Sequence, residues 1–394
     1  MTILLALILA PLIVLTLCFA VELLVGLASV KPLSFEQGRS PDAVIIIPAH
    51  DEEAIIGSTL ADLQAAAAAG IARILVIADN CSDATAAEAR RAGADVIERR
   101  DADRRGKGFA LDFARRHLQA SPPDLVVIVD ADCRIDRSSL QRLISACVAT
   151  DRPCQAAYLL DPAPPSSPAV QISTFAFFIR NVVRQRALQR LTGRVHLLGT
   201  GMAIPWSAFD RDQLATADIV EDLRMGIELA EAGRPPLFVE DAEVWSPPET
   251  GSNTLVQRSR WEGGFLAHAL ASGPGMLAKS LRRADLRGFL AALDLMIPPL
   301  ALLILLDIAL LTITAVVAGM TGAGAWPPLI LAGALLLAGA ALAAAWLRGG
   351  SRFVSIGGLA RIPLYLVWKL PLYLGLARRG TPKEWLRTRG GGQA

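Results

Sequence analysis

Leu125-Val-Val-Ile-Val129 runs directly into Asp130-Ala131-Asp132. Five apolar, mostly β-branched residues in a row read as a strand buried on both faces, the pattern of a parallel sheet. Ligands of open α/β sheets sit beyond the carboxyl ends of the strands, which is where these two acids emerge. Two residues apart on an extended chain, Asp130 and Asp132 point the same way. A pair of hard carboxylate oxygens suits a divalent cation such as Mg²⁺ or Mn²⁺, which in turn would hold substrate phosphates. A solvated strand-to-helix turn is the other reading, because aspartate is common there.

Outward from this strand, Pro41 to about Val244 alternates short apolar runs with helical stretches. Val44–Ile47, Arg73–Ala78 and Asp95–Glu98 read as strands, and Glu53–Ala69, Ala84–Ala92 and Lys107–Gln119 as helices. Strand and helix taken in turn predict an α/β fold with a doubly wound parallel sheet. The stretch Pro162–Pro168 (PAPPSSP) reads as a connector.

Polar residues collect at the predicted strand ends. Pro48-Ala-His-Asp-Glu-Glu53 follows the first strand and Asp79-Asn-Cys-Ser-Asp83 the second. Asp79 is placed to accept from a base N–H, and Asp51 to hold a ribose hydroxyl or a base edge. An N-cap or Asx-turn is the alternative for each, and the preferred reading for Glu52, Glu53 and Asp83. In Arg104-Arg-Gly-Lys-Gly108 two glycines let backbone approach a ligand, a helix N-terminus favours an anion, and Lys107 adds a point charge. Leu198-Gly-Thr-Gly-Met202 is a glycine-flanked loop. Glu221 and Asp222 open a helix predicted over Leu223–Ala232, with Asp222 either its N-cap or a general base. In Gln257-Arg-Ser-Arg-Trp261, Arg260 can pair bidentately with a diphosphate and Trp261 offers a flat face to a sugar ring.

The ends of the chain differ from its middle. Apolar residues make up 53% of the 394 and charged ones 19%, and the apolar excess sits at the two ends. Met1–Val30 is long enough to span a bilayer and carries one charge, Glu22. Lys31 and Arg39 follow it, so the positive-inside rule predicts an outside N-terminus and a cytoplasmic central domain. A cleaved signal ending near Ala28 is the alternative. Two further spans are expected, from about Pro299 to Met320 and from Pro327 to Leu347, with Phe289–Ile297 as an interfacial lead-in. Asp307 inside a span is costly unless it faces protein or a polar substrate in transit. Arg361, Pro363, Lys369 and Pro371 interrupt Phe353–Leu376, which reads as interfacial or re-entrant before a basic cytoplasmic tail. Among the basic residues of the predicted helix Ala169–Leu191, Arg180, Arg184, Arg186 and Arg190 suggest either a membrane-surface helix or one capping the sheet. Lys plus Arg (39) nearly balance Asp plus Glu (37), so no nucleic-acid partner is expected. Five cysteines form no close pair and no metal pattern, consistent with free thiols in a reducing compartment.

The ordered set PAHDEE, ADNCSDAT, RRGKGFAL, VDADC, GTGMA, VEDL and QRSRW resembles the membrane-embedded glycosyltransferases of family 2, among them cellulose, hyaluronan and poly-N-acetylglucosamine synthases and ceramide glucosyltransferase. The resemblance covers roughly Pro41 to Trp261 and departs from the usual pattern at His50, where Asn is commoner. It implies a GT-A domain inserted between transmembrane helices, a nucleotide-diphosphate sugar donor (a UDP-sugar), a Mg²⁺ or Mn²⁺ ion, and inversion at the anomeric carbon. By motif position Asp79 would hold the base, Asp130 the ribose and metal, and Asp132 the metal. Lys107 and Arg260 would clamp the diphosphate, and Asp222 would deprotonate the acceptor. Glu221, Gln257 and Trp261 would line the acceptor and diphosphate. The implied domains are a transmembrane helix at 1–30, the catalytic domain at 41–250, and the QRSRW segment with interfacial helices at 251–298. Two transmembrane helices at 299–347 and an interfacial segment with tail at 353–394 complete them. The expected setting is the inner membrane, with a polysaccharide or lipid-linked acceptor, membrane lipid, and export or assembly proteins as partners. A non-catalytic scaffold or transport subunit of a polysaccharide export system is the alternative, disfavoured by the intact acids Asp79, Asp130, Asp132 and Asp222.

Overall fold

The structure, a computed structural model, describes residues 1–31, 41–68, 70–162, 167–248 and 253–380, without the side chains of 253–258 and 379. In chain order the first elements are α1 (Thr2–Gly26), β1 (Ala43–Ala49), α2 (Ile56–Ala67), β2 (Arg73–Asp79), α3 (Thr85–Arg91) and β3 (Asp95–Arg99). Next come α4 (Lys107–Leu118), β4 (Leu125–Ile128), β5 (Arg134–Ile135), α5 (Arg137–Thr150), β6 (Cys154–Leu160), α6 (Pro168–Phe178) and α7 (Arg184–Thr192). Then follow β7 (Met202–Pro205), α8 (Trp206–Phe209), α9 (Glu221–Glu231), β8 (Leu237–Ser246), α10 (Asn253–Arg282) and α11 (Leu286–Met296). The last are α12 (Leu300–Thr321), α13 (Trp326–Leu347), α14 (Ile356–Leu359) and α15 (Ile362–Arg379). The chain divides into two compact units. One comprises Met1–Ser29, Pro164–Thr192 and Arg258–Pro382, and the other comprises Val30–Ala163, Gly193–Gln257 and Lys383–Ala394.

The second unit is built on one sheet in the order β3-β2-β1-β4-β7-β6-β8-β5. Its first half is the parallel α/β arrangement the sequence predicts, with β1 paired to β2 and β4, and β2 to β3. The second half is mixed. β7 enters antiparallel to both β4 and β6, and β8 runs parallel to β6. Val44, Ile46, Leu75, Ile77, Val126 and Ile128 bury one face of the parallel strands against Ala110, Leu111, Ala114 and Leu118 of α4. Each such side chain contributes about 2 kcal/mol relative to staying exposed. The residues between them, such as Ile45, Ile47 and Val127, are equally buried and face the other way, as the period of two requires. The parallel strands therefore end together on one edge, and their polar C-terminal residues meet there.

In the first unit, α1, α12 and α13 are long and apolar enough to cross a membrane, the three such helices among the described residues. Their lengths of 25, 22 and 22 residues exceed the roughly 20 that a bilayer core requires. Thr16 Oγ1 donates to both oxygens of Asp307, at 2.9 and 3.1 Å, so that buried carboxylate faces a neighbouring helix. The predicted helix at 169–191 is interrupted by a π-turn over Ile179–Val183 between α6 and α7. Gly26 permits this packing, since a β-carbon there would stand 2.0 Å from the Val183 carbonyl oxygen. The basic residues beyond the π-turn are occupied within the unit. Arg190 donates to the carbonyls of Val25 (2.8 Å) and Ser29 (2.5 Å), capping the C-terminal end of α1. Arg184 pairs with Glu22 at 2.7 Å and with Asp294 at 2.6 Å, which accounts for the lone charge of α1. Residues 362–379 form one helix, α15, and the tail residues from 381 onward lie outside the described set.

Candidate active site

Register puts the predicted acids on one edge of the parallel half. Asp79 is the last residue of β2 and pairs with Arg99 at the end of β3. Asp130 and Asp132 follow β4, and His50 and Asp51 follow β1. Asp51 and Asn80 both take left-handed backbone conformations, with φ of 55° and 54°. Asx residues tolerate this best, yet such strain persists mainly where surrounding structure holds it.

Asp79 is fully buried, and one of its oxygens is engaged: Oδ1 accepts from Arg99 Nη1 at 2.6 Å and Asn80 Nδ2 at 3.0 Å. Oδ2 is buried with no hydrogen-bond partner. Burial raises the Asp79 carboxyl above its ordinary value, with Arg99 pulling the other way. Arg99 is itself pinned by Asp101 (3.2 Å) and the Arg104 carbonyl (2.6 Å), under the ring of Phe109. His50 Nδ1 bonds the Asp79 carbonyl at 2.7 Å. Asp51 accepts from the Ser82 backbone N–H at 2.6 Å and its hydroxyl at 3.0 Å. Glu53 and Asp83 tie the two loops together, Glu53 Oε2 accepting from Ala84 N at 2.9 Å and Asp83 Oδ2 from Glu53 N at 3.2 Å. That is the turn-holding role expected for both.

A second cluster centres on Lys107 at the start of α4. Its Nζ donates to the Asp130 carboxylate and, at 2.7 Å, to the Gly199 carbonyl. A β-carbon on Gly199 would stand 3.2 Å from Asp222 Oδ2 and 3.5 Å from Lys107 Nζ. Asp130, Lys107, Gly199 and Asp222 thus converge. Burial works against the Lys107 charge, but the carboxylates of Asp130, Glu221 and Asp222 outweigh it and hold the ammonium above its ordinary value. Burial raises Asp130, with Lys107 opposing and Asp132 adding to the rise. Glu221 is pushed up to about 8 by burial and by the charge of Asp222, against Lys107. The helix begins at Glu221 with Val220 in the N-cap position, so Asp222 is not the cap; its Oδ1 accepts from Leu223 N at 2.8 Å.

Asp130, Asp132 and Cys133 offer ligand atoms within 4.8 Å of one another, a grouping that could hold a metal. Burial pushes the Cys133 thiol well above its ordinary value, so it stays protonated, its Sγ 3.4 Å from Asp132 Oδ1. The two carboxylates remain as donors, a hard oxygen pair that fits Mg²⁺ or Mn²⁺.

One expectation changes. Gly108 does not clear space for a ligand: a β-carbon there would meet the Leu214 carbonyl at 2.6 Å and Thr216 Cγ2 at 2.7 Å. It lets α4 pass under the 214–216 segment. Gln257 lies outside the described side chains, and Arg260 and Trp261 belong to the other unit. Sequence reading also missed Gln155. Buried in β6, it donates from Nε2 to the Thr200 carbonyl at 2.9 Å and accepts at Oε1 from Leu198 N at 2.8 Å, pinning the 198–201 loop. Thr200 Oγ1 in turn accepts from Asp130 N at 3.1 Å. A lone amide inside the apolar run CQAAYLL was the available signal.

Among solved structures, a mannosyltransferase from Pyrobaculum calidifontis in complex with GDP-mannose and Mn²⁺ is similar over 94% of this chain and 98% of its own, at 18% identity and a TM-score of 0.56. That likeness shows the fold alone. A glucosyl-3-phosphoglycerate synthase from Mycobacterium tuberculosis, in complex with Mn²⁺, UDP and phosphoglyceric acid, matches 58% of this chain and 78% of its own at 17% identity and a TM-score of 0.38. The mannosyl-3-phosphoglycerate synthase of Rubrobacter xylanophilus matches 62% and 76% at 16% identity, also with a TM-score of 0.38. At that score neither carries an argument. No curated protein matches. The model of a glycosyltransferase-like family 2 matches residues 41–264, more than half of the chain, and the protein belongs to that family, with a GT-A-like α/β domain flanked by apolar helices.

Proposed function

We propose that the protein is an inverting hexosyltransferase that moves a sugar from a UDP-sugar to a polysaccharide or lipid-linked acceptor at the membrane. The convergence of Asp130, Lys107, Gly199 and Asp222 carries this reading. Inversion in one displacement requires a base on the acceptor side and charge neutralisation on the departing diphosphate, and no covalent nucleophile. Asp222 is the base: it takes the proton of the acceptor hydroxyl as that oxygen attacks the anomeric carbon. Glu221 stands beside it, its carboxyl raised by burial and by the charge of Asp222. Lys107 stays charged and supplies a fixed cation beside the diphosphate. Asp130 and Asp132 would hold Mg²⁺ or Mn²⁺, which when bound adds positive charge against the leaving group. The family resemblance assigns Arg260 to the diphosphate, and Gln257 and Trp261 to the acceptor.

The preference for uracil rests on Asp79. With Oδ1 already bonded to Arg99 and Asn80, one buried acceptor, Oδ2, remains. Uracil offers a single ring N–H and satisfies it. Guanine offers an N–H and an amino group side by side, which call for both carboxylate oxygens. Asp51 is assigned to the ribose or base edge. The loop charges support an outside N-terminus with the sheet-bearing unit in the cytoplasm, and the inner membrane is the setting assigned to it.

The test is product analysis with the purified full chain in detergent, given Mn²⁺, polar-lipid extract and a panel of UDP-glucose, UDP-N-acetylglucosamine and GDP-mannose. Transfer of an inverted sugar from a UDP donor is expected. Transfer from GDP-mannose alone overturns the nucleotide assignment, retention overturns the mechanism, and no transfer from any donor favours the scaffold reading.

A further inference from the structure

Helix α10 carries Arg260 and Trp261, and the next residue is Glu262. One oxygen of Glu262 accepts from Lys369 Nζ and the other from the Tyr373 hydroxyl at 2.7 Å. Both partners lie on α15, four residues apart, and so share one face of that helix. Lys369 is 1% exposed. Its ammonium lies 5.6 Å from the Tyr373 ring centroid and 6.0 Å from that of Tyr365. A cation buried to this degree requires a counter-charge, and aromatic faces add attraction that grows once water is excluded.

Lys369 is the one charge in the otherwise apolar run Ile362–Leu376. A buried ion pair adds little stability over a well-packed apolar pair, yet it is costly to break and demanding in geometry. Successive residues of a helix are about 100° apart around its axis. Holding Glu262 against α15 therefore sets the direction of Trp261, a residue 38% exposed, and of Arg260.

We infer that Glu262, Lys369 and Tyr373 form a latch that fixes the rotation of α10 and so orients Arg260 and Trp261 for sugar transfer. The three are positioning residues, and through them the C-terminal helix α15 becomes part of the working enzyme. The inference rests on the role proposed above for Arg260 and Trp261.

The test uses the full chain in detergent with the donor that the wild type turns over. Glu262→Gln and Lys369→Met should each lower turnover at saturating donor by about tenfold or more, the usual consequence of a misplaced clamp. Affinity for uridine, which lacks the diphosphate, measured by calorimetry, should stay within about twofold, because the base is assigned to Asp79. Tyr373→Phe, which deletes one hydroxyl, should have a smaller effect in the same direction. Glu262→Leu combined with Lys369→Leu removes both charges and should recover the melting temperature without recovering turnover. Turnover that returns together with the melting temperature reveals a merely structural pair and overturns the latch. Arg260→Ala and Trp261→Ala run alongside. Wild-type turnover in those two overturns the role of the QRSRW segment and the latch with it. Lost turnover there, with the Glu262 and Lys369 variants unaffected, overturns the latch alone.

Discussion

The Asp222 carboxylate and the Gly199 backbone are in such close approach that a β-carbon on Gly199 would stand 3.2 Å from Asp222 Oδ2. Gly199 also has a φ of +86°, which side chains rarely adopt. Gly199→Ala should therefore destabilise the fold by about 1 kcal/mol and shift the Asp222 carboxylate. Sugar transfer should fall by about tenfold or more while UDP affinity holds. Steady-state kinetics with UDP titration checks this; an unchanged turnover would detach Gly199 from the site.

Asp222→Asn should leave nucleotide binding nearly intact, since the group faces the acceptor in this mechanism. Turnover should fall by roughly a hundredfold or more, the usual scale of general base catalysis. Asp79→Asn should do the reverse, weakening UDP affinity before it touches the chemical step. Binding titration and transfer at saturating donor separate the two. An Asp222→Asn enzyme that loses UDP but keeps turnover leaves the proposed mechanism without a base.

Removal of divalent metal with EDTA should abolish transfer, and Mn²⁺ or Mg²⁺ should restore it in the wild type but not in Asp132→Ala. Mn²⁺ binding followed by electron paramagnetic resonance gives an independent readout. Full activity in EDTA refutes the assignment of Asp130 and Asp132 as metal ligands.

Glu221 makes a prediction about pH. Its carboxyl is raised from 4.5 to about 8, first by burial and then by Asp222. Between those two values the folded chain holds a proton that the unfolded chain releases. Stability contributed by this group is therefore present at low pH and lost as pH rises through the window from 4.5 to 8. Without metal, the melting temperature of the wild type should drop between pH 5 and pH 8 more than that of Glu221→Gln, as scanned in buffers about one unit apart. Parallel curves would mean that Glu221 titrates as an ordinary surface carboxylate.

Local pattern was enough for much of this molecule. The runs at Val44, Arg73 and Leu125 are strands because apolar, mostly β-branched residues buried on both faces admit little else, and their polar residues fall at the strand ends, where the sheet's edge lies. Asp79, Asp130 and Asp132 were legible for that reason. The apolar helices α1, α12 and α13 were legible because length and composition alone decide whether a segment can cross a bilayer. The antiparallel entry of β7 was not legible, since strand direction depends on where an intervening connection returns and leaves no periodic trace.

Side-chain partners far apart in sequence belong to the tertiary structure. The bond from Lys107 to Asp130 and Gly199 spans 92 positions at its widest, and that from Glu262 to Lys369 spans 107. Nothing in the spacing of either sequence segment announces them. Gln155 and Arg99 gain their partners only on folding, Gln155 at the Thr200 carbonyl and Arg99 at Asp79. Composition and periodicity by themselves determined the four strands of the parallel half and the three helices apolar enough to cross a membrane, because those follow from which surfaces each segment must hide. Which acid meets which cation was decided only on folding, because a charge buried by the assembled core must be paired by whatever that core brings within reach.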